Sequence, residues 1–139
     1  MSDIQDLISL GLNVYYEARG EPLQGQQAVA LVTLNRTRES RWPDTVHEVV
    51  WQDTKPNVVG GEQYSWTIQH TNVDAAVNAV RNPVKFRECM CVAADVLAGK
   101  VEDFTGGANH YYADTIPMPQ WARNMTTTLI IGHHRFLRG

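Results

Sequence analysis

The tripeptide Gly20-Glu21-Pro22 stands between two helical patterns and limits how the first forty residues can fold. Upstream, Asp3 is a good N-cap, and Ile4, Leu7, Ile8, Leu12 and Tyr15 recur at helical spacing. This predicts a helix over 3–18, with those side chains towards the core. Gly11 inside it reads as a close-packing position, because a mid-helix glycine costs about 1 kcal/mol relative to alanine. Gly20 supplies a C′ stop and Pro22 cannot continue the helix. Proline is favoured at a helix start, so a second helix is expected from Pro22 or just after it. Its stripe runs through Ala28, Leu31, Val32 and Asn35, widened by Val29 and Leu34. Trp42-Pro43 forces extended chain, so this helix ends by Ser40.

Further on, residues 44–51 read as a short helix capped by Asp44, with Glu48 near the capping-box position. Residues 53–66 change character. Lys55-Pro56-Asn57, Gly60-Gly61 and Tyr64-Ser65-Trp66-Thr67 predict a loop and a short hairpin. Helical patterns return over 72–80 and 83–99, the second closing at Gly99. Residues 103–121 lose periodicity and read as loop. Residues 126–131 form a strand, Gly132 turns it, and His133 to Phe136 return as a second strand. The expected class is α+β, predominantly helical, with one or two small β-hairpins in one domain over residues 1–139.

Composition narrows the function. The 139 residues are 43% hydrophobic, enough for one core, and no apolar run is long enough to span a membrane. Net charge is −3, which argues against a general nucleic-acid binder. Residues 123–139 carry Arg123, Arg135, Arg138, His133 and His134 without an acid, so a local basic face is conceivable there. Cys89 and Cys91 are too few for a zinc site and too close for a relaxed disulfide, and are expected as core or semi-buried thiols. No metal site or cofactor is expected. His133 and His134 are adjacent, so on a strand they face opposite ways. The start of the chain is polar and acidic, with no basic n-region, which predicts no signal peptide.

The chemistry centres on Glu17 and Glu21. Glu17 falls in the last turn of the first helix, where the dipole disfavours a carboxylate. Desolvation by nearby Tyr and Val side chains would raise its pKa further, the condition for a general acid. Glu21 precedes the second helix at its positive end, where the ionised form is favoured and Arg19 or backbone N–H groups could hold it. Two carboxylates with opposed environments are an acid/base signature. The octapeptide alone leaves another reading open, with Glu17 paired to Arg19 on the surface and Glu21 a mere cap. Tyr64, Ser65 and Trp66, with Asn109, His110, Tyr111, Tyr112 and Trp121, gather in two irregular segments. Such residues suit stacking on sugar rings in a polymer-binding groove, with core filling the alternative.

Taken together, these motifs resemble the SleB-type cell wall hydrolases, the catalytic domains of spore-cortex-lytic enzymes and their bacterial and bacteriophage relatives. The matching residues are Tyr16-Glu17-Ala18-Arg19-Gly20-Glu21-Pro22, 25–30 with Leu34-Asn35-Arg36, and Trp42-Pro43-Asp44-Thr45-Val46. Gln63-Tyr64-Ser65-Trp66, 103–112, Pro119-Gln120-Trp121 and 131–136 complete them, in the family's order. The resemblance implies a lysozyme-like fold, with Glu17 as catalytic acid/base and Glu21 at most supporting. The implied bond is the β-1,4 link between N-acetylmuramic acid and N-acetylglucosamine of bacterial peptidoglycan. A lytic transglycosylase needs no second carboxylate. A hydrolytic muramidase would, with Glu21 or Glu62 the candidates, and a non-catalytic glycan binder on the same fold is the third possibility. Tyr16 departs from the family, which often has glycine there. With no leader and no separate wall-binding module in the chain, the expectation is a monomeric bacteriophage endolysin. It would be held in the host cytoplasm until the membrane is permeabilised, without inserting into it.

Overall fold

The two patterns flanking Gly20-Glu21-Pro22 are helices, α1 (Ile4–Ala18) and α2 (Leu23–Thr37), in the computed structural model, which describes residues 4–52, 64–70 and 72–139. Pro22 is the extended N-cap of α2, so the corner between the helices is only a few residues long. Gln26 ties it from inside, its side-chain amide donating to the carbonyl of Glu21 at 3.2 Å. α1 is the axle of the fold. Leu10 to Tyr15 are all buried, so its middle faces core on every side. Ile4, expected in the core, is instead 73% exposed, because the packed side of the first turn carries Asp6, which is buried and accepts the His47 N–H at 2.8 Å. Gly11 is a close-packing site as expected. The Met90 sulfur occupies the space where a Cβ would stand.

Shorter elements surround α1. Helix α3 (Val46–Val50) is capped by Thr45 rather than by Asp44. The Thr45 hydroxyl oxygen accepts from the Glu48 N–H at 3.2 Å and its proton is donated to the Glu48 carboxylate at 2.7 Å. Helix α4 (Ser65–Gln69) replaces the hairpin expected at Tyr64–Thr67. The β-favouring run Tyr-Ser-Trp-Thr is overridden by packing, since Trp66 reaches into the core and its indole N–H donates to Asn13 at 2.9 Å. The remainder of that expectation, residues 53–63 with Glu62, lies outside the described residues. Helix α5 (Val73–Asn78) is capped by Asn72, and α6 (Pro83–Leu97) by Asn82 with proline behind it. Gly99, at φ 75°, ends α6, and Lys100 N–H donates back to Asp95. On α6, Cys89 is buried, and burial pushes its thiol up to about 11. Cys91 is exposed, not semi-buried, because it sits on the outer face of α6.

Three strands complete the chain. β1 (His110–Ala113), β2 (Thr126–Ile131) and β3 (His134–Arg138) form an antiparallel sheet in the order β1-β3-β2. The β2–β3 hairpin turns at Gly132, φ 54°, as the sequence predicts. β1 corrects the expectation of loop throughout 103–121. Its four residues are too few to show a period, and β3 supplies the partner. Ala18, Ala28, Val29, Val32, Ala108 and Phe136 form a core beneath the sheet, separate from the larger core around α1. The fold is therefore mostly helical with a small antiparallel sheet, in the α+β class expected. Among the described residues no helix is long and apolar enough to cross a membrane.

Candidate active site

Glu17 ends up where α1, α2 and β1 converge. One residue from the end of α1, it is held inward by Ala18, which is buried beneath the sheet. Its carboxylate accepts a hydrogen bond from the Tyr111 hydroxyl at 2.8 Å. Burial raises the Glu17 pKa above the ordinary carboxylate range. The Tyr111 hydrogen bond and the charge of Arg36 oppose that rise without cancelling it. The surface pair with Arg19 does not form. The Arg19 guanidinium instead lies over the Tyr15 ring, 4.8 Å from its centroid. Glu17 is neither sealed in nor freely solvated. It can keep a proton and still meet a substrate.

Tyr111 is placed by its strand. It pairs with Phe136 across β1 and β3, and its ring lies 5.3 Å from that of His134 and 6.3 Å from that of Tyr64. Burial, and then the charge of Glu17, push the Tyr111 hydroxyl well above its ordinary pKa, so it stays protonated and donates. Behind it, the Tyr64 hydroxyl is 3.2 Å from Thr33 Oγ1 and accepts from Arg36 at 3.4 Å. Arg36 is itself buried, and its Nε donates to the Asn109 carbonyl at 2.7 Å.

Glu21 is held by a backbone N–H, one of the two kinds of partner expected for it. The N–H of His133 donates to it at 2.8 Å, and Arg19 takes no part in that contact. Its side chain does not cap α2 either, because Pro22 occupies the N-cap.

The remaining expected groove residues are mostly inside the protein, and burial is the correction. Trp66 is buried, with Tyr16 stacked on its ring at 5.1 Å. His110 is buried between the rings of Trp42 and Trp121, with Nδ1 2.8 Å from Asn109 Oδ1. Asn109 donates to Glu39 at 2.9 Å and to the Gly139 carbonyl at 3.0 Å. Tyr112 fills a small core with Ala122 and Leu137. Trp121 is partly exposed at its edge. The side chain of Ser65 lies outside the described part of the structure. Of the eight, Tyr111 touches Glu17 and Tyr64 backs it, while the buried others are packing rather than open sugar-stacking faces.

Three residues that sequence reasoning did not single out organise the site. Asp103 Oδ1 accepts from the Thr105 N–H at 2.8 Å and the Thr105 hydroxyl at 2.5 Å. Its Oδ2 accepts from Asn35 at 3.2 Å and the Gly107 N–H at 3.1 Å. Asn35 also donates to the Ala108 carbonyl at 2.9 Å. Asn35, Arg36 and Asp103 thus bolt the segment before β1 onto α2, which delivers Tyr111 to Glu17. Asp-x-Thr with two glycines is a turn-forming signal that could have been read. The polar pair Asn35-Arg36 on a buried helix was a second.

Comparison with known proteins bears on the fold and the family. A family model described as cell wall hydrolase matches residues 20–137. Glu17 lies just ahead of that span. The spore cortex-lytic enzyme of Halalkalibacterium halodurans is 29% identical over 131 residues, 94% of this chain and 34% of its own length. The chain thus spans about a third of that curated relative. The catalytic domain of the germination-specific lytic transglycosylase SleB from Bacillus anthracis superposes with a TM-score of 0.72 at 26% identity, over 99% of this chain and 97% of that one. The SleB catalytic domain of Bacillus cereus gives 0.65, also at 26%, over 99% and 93%. Family model, relatives and fold converge: the chain belongs to the cell wall hydrolase family.

Proposed function

We propose that this chain cleaves the β-1,4 bond between N-acetylmuramic acid and N-acetylglucosamine in bacterial peptidoglycan, as a lytic transglycosylase with Glu17 as acid and base. The observation that carries this reading is the desolvated, still accessible Glu17 carboxyl with its raised pKa, bonded to a tyrosine that cannot readily ionise. Protonated Glu17 gives its proton to the glycosidic oxygen as the muramic C1–O bond breaks. The resulting carboxylate then takes the proton of the muramic C6 hydroxyl while that oxygen closes on C1. The product is a 1,6-anhydro ring, no water is added, and Glu17 ends protonated. Tyr111 steadies the carboxylate in the middle of this cycle. The SleB relatives, one named a lytic transglycosylase, support the same route.

Glu21 supports it too, since one of its oxygens is engaged by the hairpin backbone and is not left to orient a water. One chain carries Glu17 and Tyr111 together, so the reading needs no second copy. Glu17→Gln should reduce muropeptide release from purified peptidoglycan by about 100- to 10,000-fold, the range for loss of a general acid/base. Mass spectrometry of the wild-type products should find the anhydro species, lighter by one water than a hydrolysis product. Reducing ends alone would replace this reading with hydrolysis. Undiminished release by Glu17→Gln would remove Glu17 from the chemistry.

A further inference from the structure

Glu21 sits in a slot built for it at the back of the site. Its Oε1 accepts the His133 N–H at 2.8 Å and lies 3.8 Å from Nδ1 of His134. Only 11% of the Glu21 side chain and 8% of the His134 side chain are exposed. Two glycines close in on it. A Cβ at Gly132 would overlap Glu21 Oε1, and one at Gly25 would stand 3.2 Å from the Glu21 Cβ. His134 Nδ1 is buried and has no hydrogen-bond partner among the described residues, which leaves Glu21 its near neighbour. Burial holds the His134 pKa below its ordinary value against the pull of Glu21 and Asp114, so the ring is neutral at neutral pH. On its other side the same ring meets Tyr111 edge-on at 5.3 Å, and Tyr111 donates to Glu17. A continuous line of contacts therefore runs from Glu21 through His134 and Tyr111 to Glu17.

We propose that Glu21, acting with His134, is a positioning residue: it clamps the β2–β3 turn to the α1–α2 corner and so fixes where the Tyr111 hydroxyl meets Glu17. The functional meaning of this rests on Glu17 being the acid, but the clamp itself can be tested without turnover. Arg36 and Tyr111 are the groups whose charge or hydrogen bond favours the Glu17 carboxylate. Loss of the Tyr111 bond must therefore raise the Glu17 pKa. Loss of a nearby negative charge at position 21 would lower it. The two explanations of a Glu21 effect thus differ in sign.

The experiment is a titration of the Glu17 carboxyl by carbon-13 NMR in the full chain. Tyr111→Phe should raise its pKa by about one unit. Glu21→Ala should raise it as well, and should add nothing in the Tyr111→Phe background, because both act on one hydrogen bond. Glu21→Gln should restore the wild-type titration, since its amide oxygen can still accept from His133. In turnover, Glu21→Ala should lower kcat about tenfold with KM unchanged, the size expected when the carboxylate formed mid-reaction loses one hydrogen bond. Where Glu21→Ala fails to fold, Gly25→Ala serves, pressing on the Glu21 Cβ and giving a smaller rise. An unchanged or lowered Glu17 pKa overturns the proposal, as does full additivity with Tyr111→Phe. So does a Glu21→Gln variant that behaves like Glu21→Ala. The titration stands whatever Glu17→Gln does to activity, so failure of the clamp and failure of the acid are distinguishable.

Discussion

Glu17 and Asp103 are two carboxylates near the end of α2, one feeling the charge of Arg36 and the other bonded to Asn35, and burial pushes both towards the neutral form. They end in opposite states. Glu17 receives one side-chain hydrogen bond and rises. Asp103 receives four, from the Thr105 hydroxyl and N–H, from Asn35 and from the Gly107 N–H, and these outweigh its desolvation and hold it below the ordinary range. The difference is the supply of donors, since each hydrogen bond to the ionised form offsets part of the desolvation penalty. The under-supplied carboxylate is the one poised to hand on a proton. The well-supplied one is a structural bolt. A fold that gave both the same donors would lose either its acid or its loop.

That contrast can be broken at several points. The largest effect falls on Glu17→Gln, which should abolish most turnover yet leave the protein at least as stable as wild type at pH 7. The sign follows from linkage. The folded pKa of Glu17 lies above the unfolded value of about 4.3, so ionisation destabilises the fold as pH rises through that interval. Thermal melts should therefore show the variant's advantage at pH 7 and its disappearance near pH 4. A variant less stable than wild type at neutral pH would contradict the desolvated state of Glu17.

Asp103→Asn should do the reverse. Its amide nitrogen would face donors that now meet a carboxylate oxygen, at a cost of about 1–2 kcal/mol at pH 7. The folded pKa of Asp103 is depressed. Its contribution is thus present above the unfolded value of about 3.9 and fades as pH falls through the folded value. The gap between variant and wild type should close in acid, as for Glu17→Gln but from the opposite sign, the variant being the less stable at pH 7. Denaturant melts across pH would measure it, and parallel curves would sink the comparison.

Thr105→Val is the mildest probe. It removes one donor from Asp103 and the acceptor of the Ala108 N–H, which lies 3.2 Å away. A loss of about 1 kcal/mol is expected, with the Asp103 pKa moving back towards its ordinary value by NMR titration. No movement of that pKa would mean that Thr105 does not supply the effect assigned to it here.

Helices were the legible part of this chain. The corner at Gly20-Glu21-Pro22, the Gly11 close contact, the α6 stop at Gly99 and the Gly132 turn all follow from rules that act within a few residues. The Tyr64–Thr67 segment misled, because its residues favour strands and only the Trp66–Asn13 contact reveals why it is helical. The aromatic residues were legible as a set but not as individuals. Nothing local distinguishes Tyr111, whose hydroxyl reaches Glu17, from Tyr112, which points into a small core. On a strand the two necessarily face opposite ways, and only the pairing with β3 decides which faces what.

For Glu17, its place in the last turn of a helix, and the helix polarity that disfavours its charge, belong to the sequence by itself. The chain's family was legible too, since its motifs stand in the family's order. Tertiary structure alone decided that Tyr111, 94 residues away, is the donor, that Asp103 and Arg36 hold its strand in place, and that Glu21 meets the hairpin backbone. The reason is physical. Periodicity and capping are set by neighbours along the chain, whereas a carboxylate's pKa is set by whatever donors and apolar surface the whole fold brings within a few ångströms of it.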